Sequence, residues 1–336
     1  MKRYPRRKPA YRGYQGRSRR TAKPFLLILA LILLAGAGVF LYRYFLAPEV
    51  ETPDPSPSPS AATPEEPQSM TEHMTTPSGI PCTQVDLGAE AIYTGDLILV
   101  NNQIFYHFPE ETALAVIFDD KTGSYYVRDK EVLLAPHALA ALNTMMDAFQ
   151  AQGGSKSVNV VAGYRTEEFQ QHLFDQSAER NGLDHAQQFV AQPGGSEHHT
   201  GLAVDFSVLH SDGSSAEYQG TGEYAWINGN CQNYGWVVRY DLAKVALTGI
   251  STEPWHFRYV GVPHATVMVA ENLCLEEYTD YLKQFTFDQE HLTVECADGT
   301  YEIWYAEGTK IHVPEDRAYT VSGNNVDGVI VTCKAG

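Results

Sequence analysis

Cysteine is scarce in this chain, with five in 336 residues. That is too few for a disulfide-stapled scaffold, and a chain this long does not need one. Charge is thin as well: Asp, Glu, Lys and Arg make up 19% of residues, while 43% are hydrophobic. These fractions exclude a wholly disordered chain, a collagen-like repeat and a coiled coil, and the length allows roughly two domains. Basic residues are sparse over most of the chain. Residues 1–23 hold ten of the 24 Lys and Arg and no acid, which leaves 14 basic against 41 acidic residues in the rest. A body with a balance of −27 lacks the basic face that displaces counterions, so no nucleic-acid partner is expected. No internal repeat is evident, and nothing in the sequence predicts a protein partner.

What is present begins with a membrane signal. Residues 25–42 read FLLILALILLAGAGVFLY without a charge. At about 1.5 Å per residue such a helix spans roughly 27 Å, close to a bilayer core. The basic tail 1–23 is expected to stay cytoplasmic by the positive-inside rule. The segment 24–46 is therefore read as a retained single-pass transmembrane helix. A cleaved signal peptide is the rival, disfavoured by the length of the run and the lack of a small-x-small site. Residues 47–81 contain nine prolines, six acids and no Lys or Arg. Such a segment cannot bury a core and is expected to be an extended linker, reaching on the order of 100 Å if fully polyproline-like.

From about residue 82 the composition turns globular. Segments 96–106 (DLILVNNQIFY) and 113–118 (ALAVIF) read as short β elements. Over 136–150 the spacing predicts a helix, with Pro136 in its first turn and Ala138, Leu139, Leu142, Met145, Met146 and Phe149 on one apolar face. VNVVA (158–162) predicts a buried strand. Thr166, Glu167 and Glu168 then open a second helix, which Gly182 ends. LAVDFSV (202–208), GWVVR (235–239) and WHFRYV (255–260) are further strand candidates, and helices are expected at about 263–273 and 276–284. The unit 82–285, with an N-terminal extension 82–130, reads as α+β: a mixed or antiparallel sheet covered by helices. Residues 286–336 alternate β-like runs with turn signals and read as a small all-β unit. Cys296 and Cys333 end its first and last runs, where a disulfide and two free buried thiols are equally compatible with the sequence.

Two segments carry chemistry, SEHHTGLAVD (196–205) and EPWH (253–256). Two imidazoles and one carboxylate would supply three of the four positions of a catalytic zinc site and leave one open. His198 and Asp205 flank a turn at Thr200 and Gly201, and His256 would arrive from a second strand. Pro254 argues against a helix through 253–256, so this is not the helical HExxH arrangement. Glu253 could sit beside the metal without binding it and act as general base. Arg165, between a strand and a helix N-terminus, suits a carboxylate or a polarised carbonyl, and Gln170 lies farther along that helix. Spacing alone leaves the alternatives open. Asp205 reads equally as a strand-end acid, Arg165 as a partner for Glu167 or Glu168, and any one histidine as a surface or core residue. His199 is expected to turn away from His198.

The segments AGYRTEEFQ (162–170), SEHHTGLAVDF (196–206), YGWVVRY (234–240) and TEPWHFRYVG (252–261) resemble, in this order, the VanY-type D-alanyl-D-alanine carboxypeptidases of zinc peptidase family M15, subfamily B. The resemblance covers about residues 130–285. It implies one Zn2+ held by His198, Asp205 and His256, Glu253 as general base, Arg165 binding or polarising the substrate, and Ser196 and Gln170 shaping its pocket. It implies a compact α+β peptidase fold, shared with D,D-dipeptidases and the hedgehog zinc domain. The substrate it implies is the D-alanine terminus of peptidoglycan stem peptides. Ala162 stands where the family commonly has Ser, and His199 where Gln is common. The expectation is a membrane-anchored, extracellular D,D-carboxypeptidase. An L,D-carboxypeptidase or D-Ala-D-Ala dipeptidase on the same scaffold is the first alternative. A non-catalytic zinc-containing wall-binding module is the second.

Overall fold

The chain divides into two units, Met1–Gln68 and Ser69–Gly336. A computed structural model describes residues 73–335, all within the second. The basic tail, the expected membrane segment 24–46 and the linker up to residue 72 lie outside the described residues. Among the described residues no helix is long and apolar enough to cross a membrane.

In chain order the strands are β1 (His73–Thr75), β2 (Pro81–Asp86), β3 (Ala115–Val116), β4 (Tyr126–Val127), β5 (Leu133–Leu134), β6 (Val158–Ala162), β7 (Ala203–Leu209), β8 (Ser215–Glu217), β9 (Trp236–Tyr240), β10 (Glu253–Tyr259), β11 (Leu292–Cys296), β12 (Gly299–Glu307), β13 (Lys310–Pro314), β14 (Tyr319–Gly323) and β15 (Gly328–Lys334). The central sheet runs β4-β6-β7-β10-β9, with β8 paired to β7. Only the β4–β6 pair in it is parallel, so the sheet is mixed and the fold α+β, as expected.

The helix Pro136–Ala151 forms where the apolar spacing places it. Its six predicted core residues are buried together with Val158, Val160, Val204, Phe206, Trp236 and Phe257 of the sheet. Each fully buried Leu or Phe there contributes about 1.5–3 kcal/mol. The helix Glu167–Asn181 starts at Thr166, whose hydroxyl accepts from the Phe169 N–H at 3.2 Å, and stops at Gly182. A further helix, Leu183–Phe189, follows directly.

Two expectations need correcting, and one open question is answered. Residues 96–106 form no strand. Leu97, Leu99 and Val100 are buried, but the backbone of this segment bonds to single scattered groups rather than to a ladder, as Leu99 N–H does to the Asn324 carbonyl at 3.1 Å. In 113–118 only Ala115–Val116 is a strand, and Ile117–Asp120 is one helical turn. All five cysteines are free; β12 lies between β11 and β15, which keeps Cys296 and Cys333 two strands apart.

The β-rich end is not built from residues 286–336 alone. β11-β12-β15-β14 make one sheet, but β13 pairs with β2, which pairs with β1. Ile80 and Cys82 share a core with Trp304, Ile311, Val313 and Val331. Residues from the expected linker and extension thus complete it.

Candidate metal centre and substrate cleft

β7 and β10 are neighbours, and their register sets Asp205 directly opposite His256. A register shift lies between Glu253 and Phe257, and this irregularity starts the strand that carries both Glu253 and His256. His198 reaches the same point from the 3-10 turn Glu197–Thr200, which closes at Gly201 in the left-handed region (φ 70°). There the left-handed backbone favours glycine, and a Cβ would come within 2.9 Å of the Leu114 side chain.

The donor atoms of His198, Asp205 and His256 all lie within 4.8 Å of one another. In detail, His198 Nε2 is 3.2 Å from Asp205 Oδ2, and His256 Nδ1 is 2.9 Å from Asp205 Oδ1. The outward nitrogens are also occupied. His198 Nδ1 meets the Gly163 carbonyl at 2.7 Å, and His256 Nε2 meets Glu197 Oε2 at 3.3 Å. Gly163 itself has no room for a side chain, since a Cβ would collide with the Leu133 carbonyl. Two imidazole nitrogens and a carboxylate converging on one point, each ring oriented by an outer hydrogen bond, form a donor set that fits zinc with a position left open.

Burial and the Arg165 charge push the His198 pKa down to about 4, which favours the neutral, ligating imidazole. Burial acts against the Asp205 carboxylate, but His198, His256 and Arg165 outweigh it and hold its pKa well below the usual range. Glu253 lies 4.0 Å from His256 Nδ1 and has no hydrogen-bonded tie to the triad. Burial raises its pKa to about 7.

Arg165 donates from Nη2 to Asp205 Oδ2 at 2.7 Å and from Nη1 to Gln170 Oε1 at 3.4 Å, so its partner is Asp205 rather than Glu167 or Glu168. Gln170 is buried and donates to the Ala191 carbonyl at 2.9 Å; Ser196 is also buried. Both line, with Arg165, the triad and Glu253, a cavity of about 400 Å³ walled by the helices Glu167–Asn181 and Leu183–Phe189, Tyr240 and Trp255. All seven sequence-predicted site residues therefore meet in one cleft. His199 points elsewhere, as expected, and for a specific reason: its Nδ1 meets the Arg165 carbonyl at 2.8 Å, and the Gly194 N–H donates to its Nε2 at 3.1 Å.

Sequence reasoning missed the charges beneath this site. Glu197 is 1% exposed, and its Oε1 lies 2.8 Å from Arg239 Nε and 3.2 Å from Arg258 Nη1. The signal was an arginine inside each of two apolar strands, GWVVR and WHFRYV, since a buried charge needs a partner.

Comparison with known proteins matches residues 131–262 to the family model of VanY, D-alanyl-D-alanine carboxypeptidase. A D-alanyl-D-alanine carboxypeptidase of Enterococcus faecium is 33% identical over 251 residues, covering 72% of this chain and 76% of that protein. The bifunctional D-Ala-D-Ala dipeptidase and D-Ala-D-Ala carboxypeptidase VanXYC of Enterococcus gallinarum is 40% identical over 159 residues, 46% of this chain and 82% of its own. Among solved structures, the vancomycin resistance D,D-dipeptidase VanXYg in complex with a D-Ala-D-Ala phosphinate analog superposes with a TM-score of 0.68 at 32% identity. It covers 75% of this chain and 99% of that one. This chain belongs to the VanY family of D-alanyl-D-alanine carboxypeptidases.

Proposed function

We propose that this protein hydrolyses the terminal D-alanine from peptidoglycan stem peptides, with zinc held by His198, Asp205 and His256 and Glu253 as general base. The observation that carries the reading is the placement of an uncoordinated, desolvated glutamate beside a three-donor metal set in one cleft. When bound, the ion supplies Lewis-acid polarisation and lowers the pKa of water. The chain's own residues do the rest. Glu253 takes the proton of the attacking water and returns it to the leaving amine. Arg165 supplies a fixed positive charge for the peptide's carbonyl or carboxylate oxygens, and Gln170 and Ser196 shape the pocket that receives the D-alanine. A pure binding module has no use for a base at that position.

We further propose that the chain works outside the cell membrane, anchored by the segment 24–46. This reading is supported by the charge-free run 25–42, the basic residues before it and the Pro-rich stretch after it. The test is hydrolysis by the zinc-loaded full chain of penta-, tetra- and dipeptide substrates, with product masses. Release of D-alanine from the pentapeptide is expected. Cleavage of the tetrapeptide alone would make the protein an L,D-carboxypeptidase, and of the dipeptide alone a dipeptidase. Peptide binding without cleavage would make it a wall-binding module.

A further inference from the structure

We infer that Glu197 is a positioning residue for the metal site: it fixes the tautomer of His256 so that Nδ1 is the nitrogen offered to the ion. The inference rests on reading the triad as the metal site. A neutral imidazole carries one proton, so whichever nitrogen donates a hydrogen bond leaves the other as the ligand. His256 Nδ1 faces Asp205 at 2.9 Å, and Nε2 faces Glu197 at 3.3 Å. Both carboxylates can only accept, so their oxygens alone would ask for a proton on each nitrogen; with Asp205 itself a ligand, Nδ1 is the nitrogen that shares its side of the ring with the ion, and the single proton of the neutral, ligating ring is left on Nε2, where Glu197 accepts it.

Glu197 can play this part only if it stays charged in a buried place, and the structure supplies the means. Arg239 and Arg258 both approach its Oε1, and neither side chain is exposed. The two arginines are in turn fixed from outside the metal-bearing strands. Arg239 donates to Glu276 of the helix Leu275–Leu282 at 2.7 Å, and Asn101 donates to the same oxygen at 3.2 Å. Arg258 donates to the carbonyls of Asp96 and Ile98 at 2.9 and 3.0 Å. Two carboxylates, Glu197 and Glu276, balance the charge of the two guanidiniums. This arrangement gives the segment 96–101 a task, to hold the arginines that hold the carboxylate that orients a ligand. The two ligating histidines thus differ: His198 is oriented by a neutral backbone carbonyl, His256 by an anion. Charge passed through the imidazole makes the ring a stronger donor.

The experiment is a zinc titration of the full chain against a chromogenic chelator, beside a tautomer measurement. Glu197→Gln keeps the volume and removes the charge, and its zinc dissociation constant is expected to rise about 10- to 100-fold. Glu302→Gln is the control. It breaks an equally buried carboxylate–imidazole pair, with His291 at 2.6 Å, and should leave the constant within about twofold. A folded Glu197→Gln with unchanged affinity overturns the inference, as does an equal loss in both variants. If Glu197→Gln does not fold, nitrogen-15 correlation of the histidine rings in the zinc-loaded wild type decides. A proton on Nε2 of His256, with the metal on Nδ1, is expected; the reverse tautomer overturns the inference. Both readouts are independent of turnover, so a protein that binds zinc this way and cleaves nothing would refute the proposed function alone.

Discussion

His264 should make the protein lose stability in mild acid. The ring is 6% exposed, with Nδ1 at 2.8 Å from the Tyr278 hydroxyl and Nε2 at 3.0 Å from the Thr332 hydroxyl on β15. Burial pushes its pKa down to about 4, and the more weakly acting charge of Asp96 opposes this. In the unfolded chain the ring titrates near its ordinary value, about 6.5. The unfolded chain therefore binds a proton that the folded chain refuses, and stability is fully present above pH ~6.5 and falls as the pH drops toward ~4. A gap of this size amounts to about 3 kcal/mol in total, of which about 2 kcal/mol is lost by pH ~5. The assay is urea unfolding of zinc-saturated wild type and His264→Gln at pH ~7.5 and ~5. Other groups titrate equally in both proteins, so the difference isolates this ring. Wild type should lose about 2 kcal/mol more than the variant over that interval. Equal losses in the two proteins would refute the argument.

Glu253→Gln should retain zinc and lose about 10²- to 10⁴-fold in kcat, and near-normal turnover would remove Glu253 from the base role. Gly201→Ala forces a left-handed residue against Leu114 and should cost about 1–2 kcal/mol, read as a lower melting temperature with weakened zinc retention; an unchanged melt contradicts this. A chain ended at residue 285 strips β2 of β13 and leaves Ile80 and Cys82 without their core. It should aggregate or bind apolar dyes, and a soluble, fully active product would show that the β-rich end is dispensable.

Legibility followed locality. The helix Pro136–Ala151 and the start and stop of Glu167–Asn181 depend on signals within a few residues, Pro136, Thr166 and Gly182, and each lies where the sequence puts it. The helix Leu183–Phe189 went unread because its short span carries little periodicity. The run 96–106 misled because apolar content reports burial, not the partner of the backbone, and here the partners are scattered groups distant in sequence, among them Gly194, the Arg258 side chain, Asn324 and the Asn325 side chain. The pairing of β2 with β13 was likewise invisible, since strands so far apart in the chain, with Asp86 opposite Lys310, carry no local mark of each other.

The residue types needed for metal-assisted hydrolysis, and the turns that break up their segments, were written in the sequence: His198, Asp205, Glu253 and His256 around Gly201 and Pro254. Their meeting point was not. The β7–β10 register opposes Asp205 to His256, and the Gly163 carbonyl and Glu197 decide which nitrogen of each ring faces inward. Arg239 and Arg258 stand out in sequence as charges inside apolar strands, but nothing local names Glu197 as their partner; only packing brings the three together away from water. Donor chemistry belongs to the side chain alone, whereas orientation and charge state depend on neighbours that only the folded chain brings within reach.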